Sequence, residues 1–450
     1  MDLIYNVKDK PRFSQLIVFA FQQLLAIMAA TIAVPAIVGN GMTASAALFG
    51  AGIGTLVYQL FTKFRSPVFL GSSFAFLGSM FAAFAGAASM QMGFLGLIIG
   101  AAFAALVYVI IAIIVKIAGV KWISKLMPPV VIGPTVAIIG LSLAGNAVGD
   151  MMKGDIAEIT ASPLIALVCA LVTLFTVILC SVYGNKKIRL VPFIVGILAG
   201  YVTALVFTLI GNATGNDALK IIDFAPFNAL FIDGVKFSSI VSLPDFSVIK
   251  AWNGFSQLTS AYIGTVAAAY VPVAFVVFAE HIADHKNLSS IIDKDLLIDP
   301  GLSRTLLGDG IGSFVGAIFG GCPNTTYGES IGCVAITRNA SVVSITCAAM
   351  LAMLIAFISP FMAFLDSIPA CVMGGVCMTL YGFIAVSGLK MLQPVDLNES
   401  RNLFVASVIL IAGVGGLVLN FGSITITEVA CALILGIVTN LLLLKKGNIK

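Results

Sequence analysis

The chain has 450 residues, of which 60% are hydrophobic and 10% charged, with a formal net charge of +4. Soluble domains carry about 25% charged residues, so this composition argues against a soluble enzyme and places most of the chain in lipid. The two histidines, His281 and His285, exclude a histidine-rich metal site, and the eight cysteines lie in apolar stretches without metal-ligand spacing, where they read as small buried hydrophobes.

In chain order, the first apolar run begins near Ser14, after Lys8, Lys10 and Arg12, and lacks a small-residue cleavage site, so it reads as a membrane span. A helix crossing about 30 Å of hydrocarbon needs roughly 20 apolar residues. Further runs begin near Ser45, Met92, Ile123, Pro163, Leu190, Leu258, Val342, Pro369, Leu403 and Ile424. Shorter runs broken by Gly or Pro lie at 68–87, 304–320 and 322–337. The expectation is an all-α polytopic membrane protein with fourteen transmembrane segments.

With a cytoplasmic N-terminus and fourteen crossings, the outer loops keep Lys153, Lys220, Lys236 and Lys250, and the other 20 of the 24 basic residues fall inside. That is the positive-inside bias, and a miscount by one span reverses every later loop. The net charge therefore follows from topology and gives no reason to invoke nucleic acid. Residues 214–254 form the longest polar stretch and divide the chain into 1–213 and 255–450, seven spans each. An odd number per half inverts the second half relative to the first, a common transporter plan. A glycine echo supports the repeat: Pro128 precedes Gly133, Gly140 and Gly145, as Pro369 precedes Gly374, Gly382 and Gly388.

The third and tenth segments are counterparts, and both are irregular. Pro67 and Pro323 cannot donate a backbone hydrogen bond. Ser73 and the Thr325–Thr326 pair are residue types that cap helices. Extended backbone at membrane depth is tolerated only inside protein or beside a water-filled cavity. Two half-helices would thus start near the midplane, their positive ends facing that cavity and able to bind carbonyl or carboxylate oxygens.

Four acidic residues fall within or beside spans: Glu280, Asp309, Glu329 and Glu428. An intramembrane carboxylate costs about 3 kcal/mol on insertion scales and usually has a function. Asp309 and Glu428 lie near expected span ends, in reach of water. Glu280 sits late in the eighth span and shares a helical face with Asp284. Glu329 opens the tenth half-helix, where the dipole favours an anion. Either glutamate could exchange a proton, and the sequence does not rank them.

At these residues the chain resembles the nucleobase–ascorbate transporter family, in particular its uracil permease branch. The resemblance rests on Pro323-Asn324-Thr325-Thr326-Tyr327-Gly328-Glu329, on Ala335-Ile336-Thr337-Arg338, on Ala279-Glu280-His281 and on Gly71-Ser72-Ser73-Phe74-Ala75-Phe76. It implies fourteen segments in two inverted repeats, with short strands in the third and tenth. Spans 1–4 and 8–11 would form a core, and spans 5–7 and 12–14 a gate. It further implies uracil contacts at Ala30, Phe74, Glu280, Gly328 and Glu329, with Tyr327 nearby, a homodimer in the plasma membrane, and coupling to protons or sodium. Uracil offers two N–H donors and two carbonyl acceptors, which two carboxylates and half-helix amides can match, with Phe74 against the ring face.

Three positions depart from the pattern. Gln22-Gln23 stands where the family often has Gln-His, and Ser330 replaces the usual Asn. Asp284 stands where uracil permeases can carry a histidine, with His285 one place later, so Glu280, Asp284 and His285 are all candidates for proton coupling. The expected function is secondary active uptake of uracil with a proton, without cofactor or metal, and with both termini cytoplasmic. The alternatives are a xanthine or urate carrier, which Glu329 disfavours, a sodium-coupled uracil carrier, and a passive channel. No nucleophile–base pair or metal triad supports a membrane enzyme.

Overall fold

The computed structural model describes residues 3–119, 121–156, 159–185, 188–232, 234–421 and 424–443. Lys186, Lys187, Lys445, Lys446 and Lys450, which enter the topology count, lie outside the described residues. In chain order the elements that matter here are α1 (Phe13–Val38), α2 (Ala44–Phe61), β1 (Leu70–Ser72) leading into α3 (Leu77–Ala85), α4 (Met90–Ala118), α5 (Pro129–Met151), α6 (Pro163–Tyr183) and α7 (Pro192–Thr214). After the polar stretch come α8 (Ser260–Ile292), α9 (Leu302–Gly320), β2 (Asn324–Thr326) leading into α10 (Gly328–Thr337), α11 (Val342–Ile355) and α12 (Ala370–Lys390). The chain closes with α13 (Ser400–Val414), β3 (Leu419–Phe421), β4 (Ile424–Ile426) and α14 (Glu428–Leu442). Among the described residues, α1, α2, α4 to α8 and α12 are the eight helices long and apolar enough to cross a membrane. The protein is a mostly helical, multi-pass membrane protein.

Two boundaries differ from expectation. The run beginning near Ile123 divides, because Pro128 and Pro129 interrupt it: a short helix, Lys121–Leu126, precedes α5, whose first position is Pro129. The run beginning near Ile424 opens as a strand, since the β-branched Ile424-Thr425-Ile426 pairs with β3, and the helix starts only at Glu428.

Helices in lipid gain little from burying apolar surface against one another, so close backbone packing joins them. Gly308, Gly312, Gly316 and Gly320 recur at four-residue spacing on α9, and Gly50 and Gly54 of α2 lie against that stripe. A methyl group added at Gly50 would sit 2.5 Å from the Gly316 carbonyl oxygen, and one at Gly312 would sit 2.6 Å from that of Gly54. A second seam joins α5 to α12, where a methyl at Gly133 would lie 2.8 Å from the Gly388 carbonyl oxygen. In the glycine echo, Gly133, Gly140, Gly374 and Gly388 lie at such approaches, whereas Gly145 and Gly382 face open space.

Strands β1 and β2 pair antiparallel in the register Leu70 with Thr326, Gly71 with Thr325 and Ser72 with Asn324. The Ser73 N–H extends the ladder by donating to the Pro323 carbonyl at 2.9 Å. All six paired residues are buried. Asn324 seats β2 on α2 by donating its amide to the Gly50 carbonyl at 3.0 Å. The missing side chains at Gly54 and Gly316 make room for that amide. This two-stranded sheet joins the two halves of the chain, and both half-helices leave from it.

Candidate substrate-binding site

The half-helices start later than the hydroxyl residues suggest. The position before α3 is Phe76 and the position before α10 is Tyr327, and neither uses a side-chain cap. Thr325 and Thr326 are strand residues instead. The Thr326 hydroxyl donates to the Asp284 carboxylate at 2.6 Å, while the hydroxyls of Ser73 and Thr325 are buried with no hydrogen-bond partner among the described residues. Without a side-chain cap, the first amides of α10 lack the partner that a capping residue would supply. Glu329 stands in that first turn.

A cavity of about 380 Å³ opens in front of the sheet, within the size range of small-molecule sites, about 300–1,000 Å³. One wall carries the polar groups, Glu280 and Asp284 of α8 and Thr325 to Glu329, with the Phe74 ring, between β1 and α3, beside them. The facing wall is apolar: Val136 and Ile139 of α5, Phe193 of α7, Leu380, Phe383 and Ile384 of α12, and Met391, with Ser387 as its polar residue. The 280/284 spacing therefore does place both carboxylates on one helical face. No Lys or Arg lines this cavity among the described residues. Three carboxylates in a half-apolar chamber call for a cation, a proton or donor groups on a ligand.

Tyr327 is held rather than free. Its phenol donates to the Ser72 carbonyl at 2.6 Å, and its ring occupies the space a Gly71 side chain would need. Gly71 is required for that contact. Phe74 reaches across the cavity to α12, with its ring 5.9 Å from Tyr381 in an edge-on arrangement.

The structure thus gathers Phe74, Glu280, Asp284, Tyr327, Gly328 and Glu329 on one cavity. Ala30 is buried in α1 and is not among the lining residues. His285 lies away from the cavity, its Nε2 2.7 Å from the Tyr58 hydroxyl and its Nδ1 2.8 Å from the His281 carbonyl oxygen. Asp309, expected near a span end in reach of water, lies within α9 and is 1% exposed; its carboxylate pairs with His281 Nδ1 at 2.6 Å. Sequence reading missed that pair, although His281 and Asp309 both stand in apolar context. It also missed Thr326 as the partner of Asp284. The apolar wall carried no signal, because an Ile or Phe in an apolar helix looks alike wherever it faces.

Two of the departures from the family pattern touch each other. Gln23 donates its side-chain amide to the Ser330 hydroxyl, and the Phe69 N–H donates to the same oxygen at 3.3 Å. Ser330 thereby ties α1 and the approach to β1 to the turn that carries Glu329.

Comparison with known proteins agrees with this architecture. A family model described as "Permease family", for xanthine and uracil permeases, matches residues 14–421. The uracil permease of Bacillus caldolyticus is 40% identical over 444 residues, covering 98% of this chain and 94% of that protein. The uracil permease of Bacillus subtilis is 38% identical, covering 97% and 94%. That of Escherichia coli K12 is 35% identical, covering 96% and 92%. Among solved structures, the transmembrane domain of a cyanobacterial bicarbonate transporter, BicA, superposes with a TM-score of 0.58 at 15% identity, covering 96% of this chain and 98% of that one. Murine Solute Carrier 26 family member A9, an anion transporter in the inward-facing state, gives 0.64 at 13% identity, covering 97% and 69%. At these identities the two structures establish likeness of fold alone.

Proposed function

The chain belongs to the xanthine/uracil permease family, a family of transporters and not of enzymes, and from that premise we propose that it imports uracil across the plasma membrane together with a proton. The observation that carries this reading is the placement of Glu329 in the uncapped first turn of α10, on the same cavity as Glu280 and Phe74. The two carboxylates accept the two ring N–H groups. The first amides of α10 donate to a ring carbonyl, and Phe74 covers a face of the ring. A purine or analogue without the matching N–H groups leaves a buried carboxylate unpaired, which is the basis of selection.

In this reading the fourteen helices α1 to α14 are fourteen spans in two inverted repeats, residues 1–213 and 255–450. Helices α1 to α4 and α8 to α11 form a core, and α5 to α7 and α12 to α14 a gate. The packing supports the division: α9 lies on α2 and α4, and α11 on α1 and α2, while α12 lies on α5 and α6 and α13 on α14. The cavity sits on the boundary, polar on the core side and apolar on the gate side. An apolar face can slide past the bound base without trading hydrogen bonds, which suits movement of core against gate. With both termini cytoplasmic, Phe193, Ser387, Met391 and Asp284 belong to the inner ends of their spans, so the chamber faces the cytoplasm.

Glu280 and Asp284 are the groups placed to take the coupled proton, and His285 is set back from the chamber. A second reading, sodium coupling, is favoured by one observation: the Asp284 carboxylate and the Thr326 hydroxyl put two oxygens together at 2.6 Å on the cavity wall. Uracil uptake into liposomes under a proton gradient alone and a sodium gradient alone separates the two. Concentrative uptake under the proton gradient supports proton symport, under sodium alone the second reading, and equilibration without accumulation a channel.

A further inference from the structure

The half-helix α10 has ten residues, about 15 Å at 1.5 Å per residue. It is too short to be fixed by crossing the bilayer, and its N-terminal end borders the chamber. Its first turn is held by Ser330 and by β2, and its other end needs an anchor of its own. There the chain turns through Arg338, a non-glycine residue in the left-handed conformation with φ 55°, where glycine is the usual residue. The Arg338 carbonyl accepts the Ile4 N–H at 2.8 Å and the Tyr5 N–H at 3.3 Å. The Ala340 N–H donates back to the Tyr5 carbonyl at 2.9 Å and the Val342 N–H to the Val7 carbonyl at 3.1 Å. The Ser341 hydroxyl donates to the Asp9 carbonyl at 2.6 Å. Val7, 5% exposed, shares one apolar cluster with Leu70 of β1 and with Ile331 and Val334, which are three residues apart on α10.

From these contacts we infer that residues 3–9, lying ahead of the first span, are a strap that holds the base-binding half-helix in place, so the N-terminal segment belongs to the positioning machinery of the substrate site. Five hydrogen bonds tie it to the turn between α10 and α11, where helix-end groups would otherwise go unpaired. Its near end is anchored independently, since the Tyr5 phenol donates to Gln15 at 2.7 Å and its ring stands edge-on to Phe19 at 5.9 Å. Release of the strap frees the far end of α10 and lets Glu329 leave its place on the chamber wall.

The inference rests on Glu329 as a base contact, and its test separates the two. Full-length protein carrying Val7→Asp, which puts a carboxylate into the apolar cluster, is compared with the parent and with Val7→Ile. Radiolabelled uracil binding and uptake are measured, and trypsin cleavage after Lys8 reports release of the strap. Expected is a rise in KM of about tenfold, equal to about 1.4 kcal/mol, with maximal uptake rate within about twofold, faster cleavage, and recovery of both in Val7→Ile. If Val7→Asp does not accumulate, a protease site inserted between Pro11 and Arg12 is cut in the folded protein. Uracil affinity then falls on dilution of the released peptide and returns when a peptide of residues 1–11 is added. Cleavage or release with unchanged KM overturns the strap. A parent protein that binds no uracil overturns the proposed function instead.

Discussion

The third and tenth segments are built alike and equipped differently. Each runs from a three-residue strand into a short half-helix, and the two strands pair with each other. The third half-helix carries no charge: its first turn is Leu77-Gly78-Ser79, and the nearest carboxylate, from Glu428 of α14, lies 3.8 Å from where a Gly78 side chain would start. The tenth carries its own carboxylate, Glu329. The strands divide in the same way, since Thr326, which holds Asp284, sits in register with Leu70, which packs into an apolar cluster. Two similar strand-to-helix segments thus bring two helix ends to one place, and single side chains then decide that one end puts a carboxylate on the chamber while the other lines it through the Phe74 ring.

The sharpest way to break that contrast is to neutralise the two carboxylates in turn. Glu329→Gln should weaken uracil binding by about 100-fold or abolish it, as loss of a charge-assisted bond in a site built for it. Glu428→Gln should leave affinity within about twofold. Equal losses in equilibrium binding would make the two helix ends equivalent. A smaller effect follows from the strands. Gly71→Val drives a side chain into the Tyr327 ring and should cost about tenfold in affinity. Gly78→Ala has room and should leave binding unchanged, with thermal stability the same or higher by up to about 1 kcal/mol. Thr326→Val removes the donor to Asp284 and should slow initial uptake about fivefold, on the scale of one buried hydrogen bond, with Thr326→Ser restoring it. The smallest effect belongs to Ser73→Ala, whose hydroxyl has no partner among the described residues. Its uptake should stay within about twofold, and a larger loss would assign that hydroxyl to the substrate.

Much of this was legible because membrane insertion penalises charge and broken backbone. Glu280, Asp284 and Glu329 stand out in apolar sequence, and Pro323 marks an extended approach to a helix. Other features were hidden because the relevant partner is distant in sequence. Ser73 and Thr325 look like caps, but the β1–β2 ladder takes their backbone and pushes the helix starts to Leu77 and Gly328. Asp309 looked exposed because its partner, His281, is on another helix. The strap was invisible because it acts through main-chain groups, which every residue possesses. The β3–β4 hairpin ahead of α14 read as helix because isoleucines and threonines serve either structure, and tertiary contact with α8 accompanies the strand.

The β1–β2 pairing also constrains how the protein is made. Gly71 finds its partner at Thr325, so the approach to α3 reaches the membrane long before its hydrogen-bonding partner is translated. Until then its main-chain groups have no ladder, a costly state in hydrocarbon. The N-terminal half cannot reach its final form alone and must wait, shielded by water or insertion machinery, for the C-terminal half to arrive. Each half expressed separately should be a short-lived substrate for quality-control proteolysis, and co-expression of 1–254 with 255–450 should rescue both.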